Sequence, residues 1–229
     1  MVEAPKVPPW SFSSIKAFDQ CPKKFYHLKV VKDFKEPTTT DALLYGSEFH
    51  KAAELYIKKG TPLPAHFGFA KSALDNLNQM QGEKLCEYEM GLTANLEPCG
   101  FKDAQVWWRG IADLIILDRE KGEARVLDYK TGKSAKYADT GQLELMALSI
   151  FKHFPEVKKV KAGLLFVIAK QFVKDNYSVD KAPDLWQKWL KDYDRMKYAY
   201  HSDVWNPRPS GLCRKHCVVT TCPHNGAYT

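Results

Sequence analysis

Asp113, Asp128 and Lys130 are the residues whose types and spacing most directly suggest chemistry. They lie in GIADLIILDREKGEARVLDYKTG, residues 110–132, which otherwise reads as two apolar strands around a polar turn. The REKG stretch between Asp118 and Glu123 suits a hairpin loop ending in glycine. If the loop is centred on Glu120 and Lys121, facing residues have numbers summing to 241, which sets Asp113 opposite Asp128. Side chains alternate along a strand, so Asp128 and Lys130 share a face and Tyr129 points away. Two facing carboxylates repel in a poorly solvated site, and a hard divalent ion, Mg²⁺ or Mn²⁺, removes the conflict. Such an ion polarises a phosphodiester, and Lys130 beside it would hold or help deprotonate the attacking water. A structural ion pair between Lys130 and one aspartate is the competing reading, and a loop of three or five residues would separate the two acids.

A second set is cysteine. Cys213, Cys217 and Cys222 fall within ten residues, in CRKHCVVTTC. In a reducing compartment such a dense set reads as thiolate ligands rather than disulfides. Three thiolates are one short of a tetrahedral shell, and Cys21, in AFDQCPKKFY, is the candidate fourth. Cys86 and Cys99 have no partner at ligand spacing and read as packing or exposed thiols.

The elements that must position these groups follow from periodicity. Ser13 or Ser14 is expected to cap a short helix ending near Gln20, before Cys21-Pro22. DALLYGSEFHKAAELYIKKG places Leu43, Leu44, Phe49, Ala53 and Ile57 at helical spacing, with Asp41 as cap and Gly60 as stop. A further helix is expected over 68–80. From about Glu83 to Lys130 the period becomes two, which predicts an antiparallel meander of three strands. A helix over 140–153 and a buried strand in KAGLLFVIAK then form a crossover unit. A last amphipathic helix, 182–201, stops before NPRPSG. The order gives an α/β class, a mixed central sheet flanked by helices.

Composition bounds the setting. At 229 residues, 45% hydrophobic and 27% charged, the chain reads as one globular domain, residues 1–229, with its core at about 40–170. A formal charge of +7 favours a polyanionic partner without specifying one. Neither a signal peptide nor a membrane span is evident, so the expectation is a cytoplasmic protein with no membrane partner. No G-x-x-x-x-G-K-[ST] loop occurs, so the expectation is a chain that carries no helicase motor of its own.

Gly110-Ile111-Ala112-Asp113 followed by Asp128-Tyr129-Lys130 resembles the PD-(D/E)XK nuclease motif in its RecB-type exonuclease form, across roughly residues 10–225. YGSEFHKAAE resembles that family's helix with Gly46, His50 and Glu54, and GQLELMAL its Q-x-x-x-Y helix with Gln142; Met146 stands where the family has tyrosine. The resemblance implies a restriction-endonuclease-like core. It further implies His50, Asp113, Asp128 and the Tyr129 carbonyl as Mg²⁺ or Mn²⁺ ligands, with Lys130 and Gln142 in catalysis. Arg109 and Lys133 become candidate phosphate contacts. The cysteines resemble the arrangement in AddB and the CRISPR-adaptation exonucleases, where a 4Fe-4S cluster joins the two ends of the domain. Here segments 10–35 and 205–225 would supply Cys21, Cys213, Cys217 and Cys222. The middle ligand is displaced by one from the usual spacing, and Zn²⁺, with four thiolates or with His216 or His224, remains the alternative. The implied activity is DNA exonucleolysis on single strands or free ends, in recombination, repair or phage DNA processing, inside a bacterium or a phage-infected cell. That reading leaves room for a helicase or recombination partner and does not fix the oligomeric state. The alternative is a catalytically silent nucleic-acid-binding subunit stabilised by the cysteine-bound metal.

Overall fold

The computed structural model describes residues 7–36 and 40–228. It contains two compact units. One takes the described residues before Asp41 and after Gln187, the other Asp41–Gln187, with the division falling inside the last helix.

The larger unit is built on a six-stranded mixed sheet in the order β2-β1-β3-β4-β5-β6. Its strands are β1 (Glu83–Leu92), β2 (Pro98–Cys99), β3 (Trp108–Asp118), β4 (Glu123–Lys130), β5 (Lys159–Phe166) and β6 (Gln171–Ser178). Preceding them are α3 (Asp41–Lys59) and α4 (Lys71–Gln79), numbered after two helices of the smaller unit, α1 (Phe12–Gln20) and α2 (Pro22–Phe25). Phe49, Ala53 and Ile57, spaced four apart on α3, pack with Leu74 and Leu77 of α4 against Leu114, Ile116, Leu127 and Tyr129. Each such aliphatic or aromatic side chain contributes about 1.5–3 kcal/mol through removal from water. Helix α5 (Gly141–His153) is buried along most of its length and links β4 to β5, which run parallel as a crossover requires. With helices on both faces, β3 is buried from Ala112 to Asp118 instead of alternating.

The hairpin keeps the expected register. Leu114 pairs with Leu127 and Asp118 with Glu123 around a four-residue loop, in which Gly122 takes φ +60°. Two expectations are corrected. Strands β2 and β6 are additional: β2 is only two residues long, and the side chains of β6 are mostly exposed, so QFVKDNYS carries no burial pattern to announce it. The α4 region begins as a 3₁₀ turn, Ala65–Ala70, and becomes α-helical only at Lys71.

In the smaller unit Ser11, not Ser13 or Ser14, caps α1. Ser11 and Ser14 exchange side-chain and backbone hydrogen bonds, a reciprocal box that fixes the helix start three residues earlier than its apolar pattern. Phe25 stacks on Trp205, which also meets Tyr26 and Tyr200, and the buried Trp10 ring leans on Tyr193 at 5.7 Å. The last helix, α6, spans Ala182–Ser202. Among the described residues no helix is long and apolar enough to cross a membrane.

Candidate active site and cysteine centre

The β3–β4 ladder opens one step beyond the Leu114–Leu127 pair, and the acids stand at that opening. Asp113 Oδ2 accepts the Tyr129 backbone N–H at 2.6 Å, taking the donor that a continued ladder would have used. Tyr129 itself points into the core beside Phe49, so Asp128 and Lys130 emerge together on the opposite face. There Gln142, from the first turn of α5, bridges them. Its Nε2 donates to Asp128 Oδ1 at 2.6 Å, and its Oε1 accepts from Lys130 Nζ at 3.2 Å. Lys130 Nζ also lies 2.6 Å from Asp128 Oδ2, but off the direction of a hydrogen bond, which leaves that buried oxygen with a charge contact and no hydrogen bond.

His50 reaches the same opening from the middle of α3. Its Nδ1 lies 3.2 Å from Asp113 Oδ1 and its Nε2 3.1 Å from the Tyr129 carbonyl. Both partners are acceptors, an arrangement that suits a doubly protonated ring. The Asp113 hydrogen bond accordingly raises the His50 pKa, against the opposing effect of burial. Burial first, then the Asp113 charge, pushes the Asp128 carboxyl above its ordinary range.

Glu87 was not expected at this centre. The pairs on either side of it, Cys86 with Leu114 and Tyr88 with Ala112, set it across β1 from Asp113. Ligand atoms of His50, Glu87 and Asp113 lie within 4.8 Å of one another, and no other such group of His, Cys, Asp or Glu occurs among the described residues. Asp128 does not join this group, being drawn toward Lys130 and Gln142. An oxygen without a hydrogen bond, three acids on adjacent strands and a histidine between two acceptors are a donor set that fits a hard divalent ion.

The remaining expected residues are distributed around this centre. Gly46 lines an open cleft with His50, Glu87, Tyr129, Lys130 and Phe166. Glu54 is ion-paired with Lys51 and Lys58 on the helix surface. Met146 is buried, with its methyl near the backbone of Gly110; a Cβ there would come within 2.8 Å of the Trp108 ring and 3.0 Å of that methyl. Arg109 lies over the Phe101 ring at 5.2 Å, and Lys133 is exposed just past β4.

In the smaller unit Cys21, Cys213, Cys217 and Cys222 line one small cavity, together with His224. Among the described residues no three of these sulfurs approach within 4.8 Å of one another. Backbone N–H groups are aimed at two of them: Lys24 and Arg208 donate to Cys21 Sγ at 3.4 Å, and Ser210 donates to Cys213 Sγ at 3.3 Å. Cys86 and Cys99 lie apart in the sheet unit, half-buried.

Comparison with known proteins places this geometry. No curated protein matches the chain. Among solved structures, a candidate exonuclease from Eubacterium rectale shares the fold at a TM-score of 0.53 and 14% identity, over 91% of this chain and 86% of that one. The crystal structure of SSO0001 aligns at a TM-score of 0.47 and 14% identity, over 97% of this chain and 90% of that one. The model of the PD-(D/E)XK nuclease superfamily matches residues 9–224. With the acids, lysine and glutamine gathered at one opening of a mixed sheet, and that model spanning nearly the whole chain, the protein belongs to the PD-(D/E)XK nuclease superfamily.

Proposed function

We propose that the protein is a divalent-metal-dependent DNA exonuclease acting on single strands or free DNA ends, in recombination, repair or phage DNA processing. The observation that carries the reading is the β3–β4 opening, where His50 meets Asp113 and, next to them, Asp128 is paired with an ammonium held by Gln142. Mg²⁺ or Mn²⁺ held by His50, Asp113, Asp128 and the Tyr129 carbonyl would supply Lewis-acid polarisation of the scissile phosphate. Around it, Gln142 holds the Lys130 ammonium with its amide oxygen and Asp128 with its amide nitrogen, which keeps Lys130 aimed at the cleft. That ammonium orients the attacking water and offsets negative charge on the phosphorane-like transition state. Arg109 and Lys133 are the proposed contacts to flanking phosphates.

For the cysteine cavity we infer a metal centre, with a 4Fe-4S cluster favoured over zinc. The family resemblance of the four-cysteine arrangement favours the cluster, and the N–H groups directed at Cys21 and Cys213 suit thiolates. It would contribute folding energy rather than chemistry at the phosphate.

Labelled linear and circular single-stranded DNA, incubated with the protein and Mn²⁺, test the activity. An exonuclease shortens the linear strand and spares the circle, and Asp113→Ala abolishes both metal dependence and degradation. Cutting of the circle at an equal rate would make the enzyme an endonuclease, and degradation equal in Asp113→Ala would reject the site.

A further inference from the structure

We propose that the groove between α4 and the β5–β6 edge of the sheet docks an acidic segment of a partner protein, one that carries a bulky apolar side chain beside its carboxylates. The groove exists because the helices stop short of that edge. Leu127 and Tyr129 of β4 are packed under α3 and α4. On the same face the register places Gly163 and Leu165 of β5, and beyond them Lys174 and Phe172 of β6, the last strand of the sheet. Phe172 is 53% exposed, and Met80, at the end of α4, is 37% exposed. Between them lies a cavity of about 440 Å³, within the size range of ligand-binding clefts. It shares no lining residue with the cleft that holds His50 and Lys130, so it is separate from the metal site.

Charge selects the occupant. Arg125 and Lys161 are cross-strand partners at one end of the groove floor, and Leu165 and Phe172 are partners at the other, about 13 Å further along the strands. Lys174 stands on the rim between the two ends. Glu123 answers Lys161 at 2.9 Å, whereas among the described residues Arg125 and Lys174 make no hydrogen bond or ion pair. The one acid in the lining, Asp175, alternates onto the other face of the sheet and accepts the Tyr177 hydroxyl at 3.1 Å. The groove therefore sets unanswered positive charge beside an apolar bed, the complement of carboxylates next to a Leu, Phe or Trp side chain. A nucleic-acid strand bears charge at every nucleotide and calls for cations along its whole track, and the Leu165–Phe172 end of the lining has none. An edge strand such as β6 also offers its outer backbone groups to an extended peptide laid alongside.

The test is a random-peptide phage library panned on the whole protein, with a recovered peptide then synthesised and titrated calorimetrically against wild type, Lys174→Glu and Phe172→Ala. Recovered peptides should combine Asp or Glu with a bulky apolar residue. Each substitution should weaken binding of the synthetic peptide by about tenfold or more. Both side chains are exposed, so far-UV circular dichroism should not change, and one variant reports if the other folds poorly. Neither residue belongs to the proposed nuclease site, so degradation of single-stranded DNA should keep the wild-type rate. Failure to recover acidic, apolar peptides, or peptide affinity within about twofold of wild type in both variants, overturns the docking site. Slower degradation of single-stranded DNA by both folded variants would make the groove a nucleic-acid track instead, and a dimer of the wild type that both variants abolish would assign it to a second copy of the chain; either result also overturns the proposal.

Discussion

At the scale of single residues, His50 is the hinge of the site's electrostatics. Its two nitrogens face a carboxylate and a carbonyl, so in the metal-free protein an imidazolium lies where positive charge is needed. The folded-state pKa is raised, so the stabilising contribution is complete below the unfolded value of 6.5 and is lost as pH rises through the folded value. Melting in EDTA should therefore show a larger loss of Tm in His50→Ala at about pH 5.5 than at about pH 8. An equal loss at both values would remove the imidazolium from the account. Metal binding has the opposite pH dependence, because a ligating imidazole must first shed its proton. Asp113, Asp128 and Lys130 could be read from the sequence because a hairpin with a short polar loop fixes its own register. Glu87 could not: residues 93–107 separate its strand from β3, and a connection that long sets no register.

At the scale of elements, the strongest patterns were the most legible. The apolar stripe of α3 predicts its buried face at Phe49, Ala53 and Ile57, while Leu43 and Leu44 in the first turn are exposed, and the buried face aims His50 toward the β3–β4 opening. Helix α5 reads as helical from its periodicity, and Gln142 enters the site because it sits in the first turn, just after the β4 crossover. Strand β6 stayed hidden because an exposed edge strand lacks the alternation that burial imposes. One device near that edge is testable. Phe172 of β6 lies against Gly163 of β5, and a Cβ on Gly163 would stand 2.2 Å from the ring. Gly163→Ala would push the half-exposed Phe172 ring aside and should destabilise the protein by no more than about 1 kcal/mol in urea unfolding, and Phe172→Ala in the same chain should recover much of that loss. Additive effects of the two substitutions would show that the ring and the glycine do not depend on each other.

At the scale of the whole molecule, the two proposed ligand sets occupy different units: oxygen and nitrogen donors at the sheet opening, sulfur donors in the unit that holds the described residues before Asp41 and after Gln187. That the distant Cys21 shares a cavity with Cys213, Cys217 and Cys222 was anticipated by counting ligands and by the family resemblance, not by any local pattern around Cys21. The distance between their sulfurs is a property of the fold that no spacing in the sequence encodes. Anaerobically purified protein should be brown, absorb broadly near about 400 nm and lose both iron and thermal stability in Cys21→Ala. A colourless protein with one zinc per chain would replace the cluster by a single ion. The formal charge of +7 adds attraction for a polyanion, and Tyr137, 86% exposed, is a surface ring on which a base could stack.

The most direct measurement is single-turnover cleavage of labelled single-stranded DNA by wild type and Lys130→Ala, with bound Mn²⁺ determined in the same samples. Lys130→Ala should retain the ion and cleave at least about 100-fold more slowly, because it lacks only the ammonium that serves the attacking water. Cleavage at the wild-type rate by metal-loaded Lys130→Ala would contradict the account at its centre.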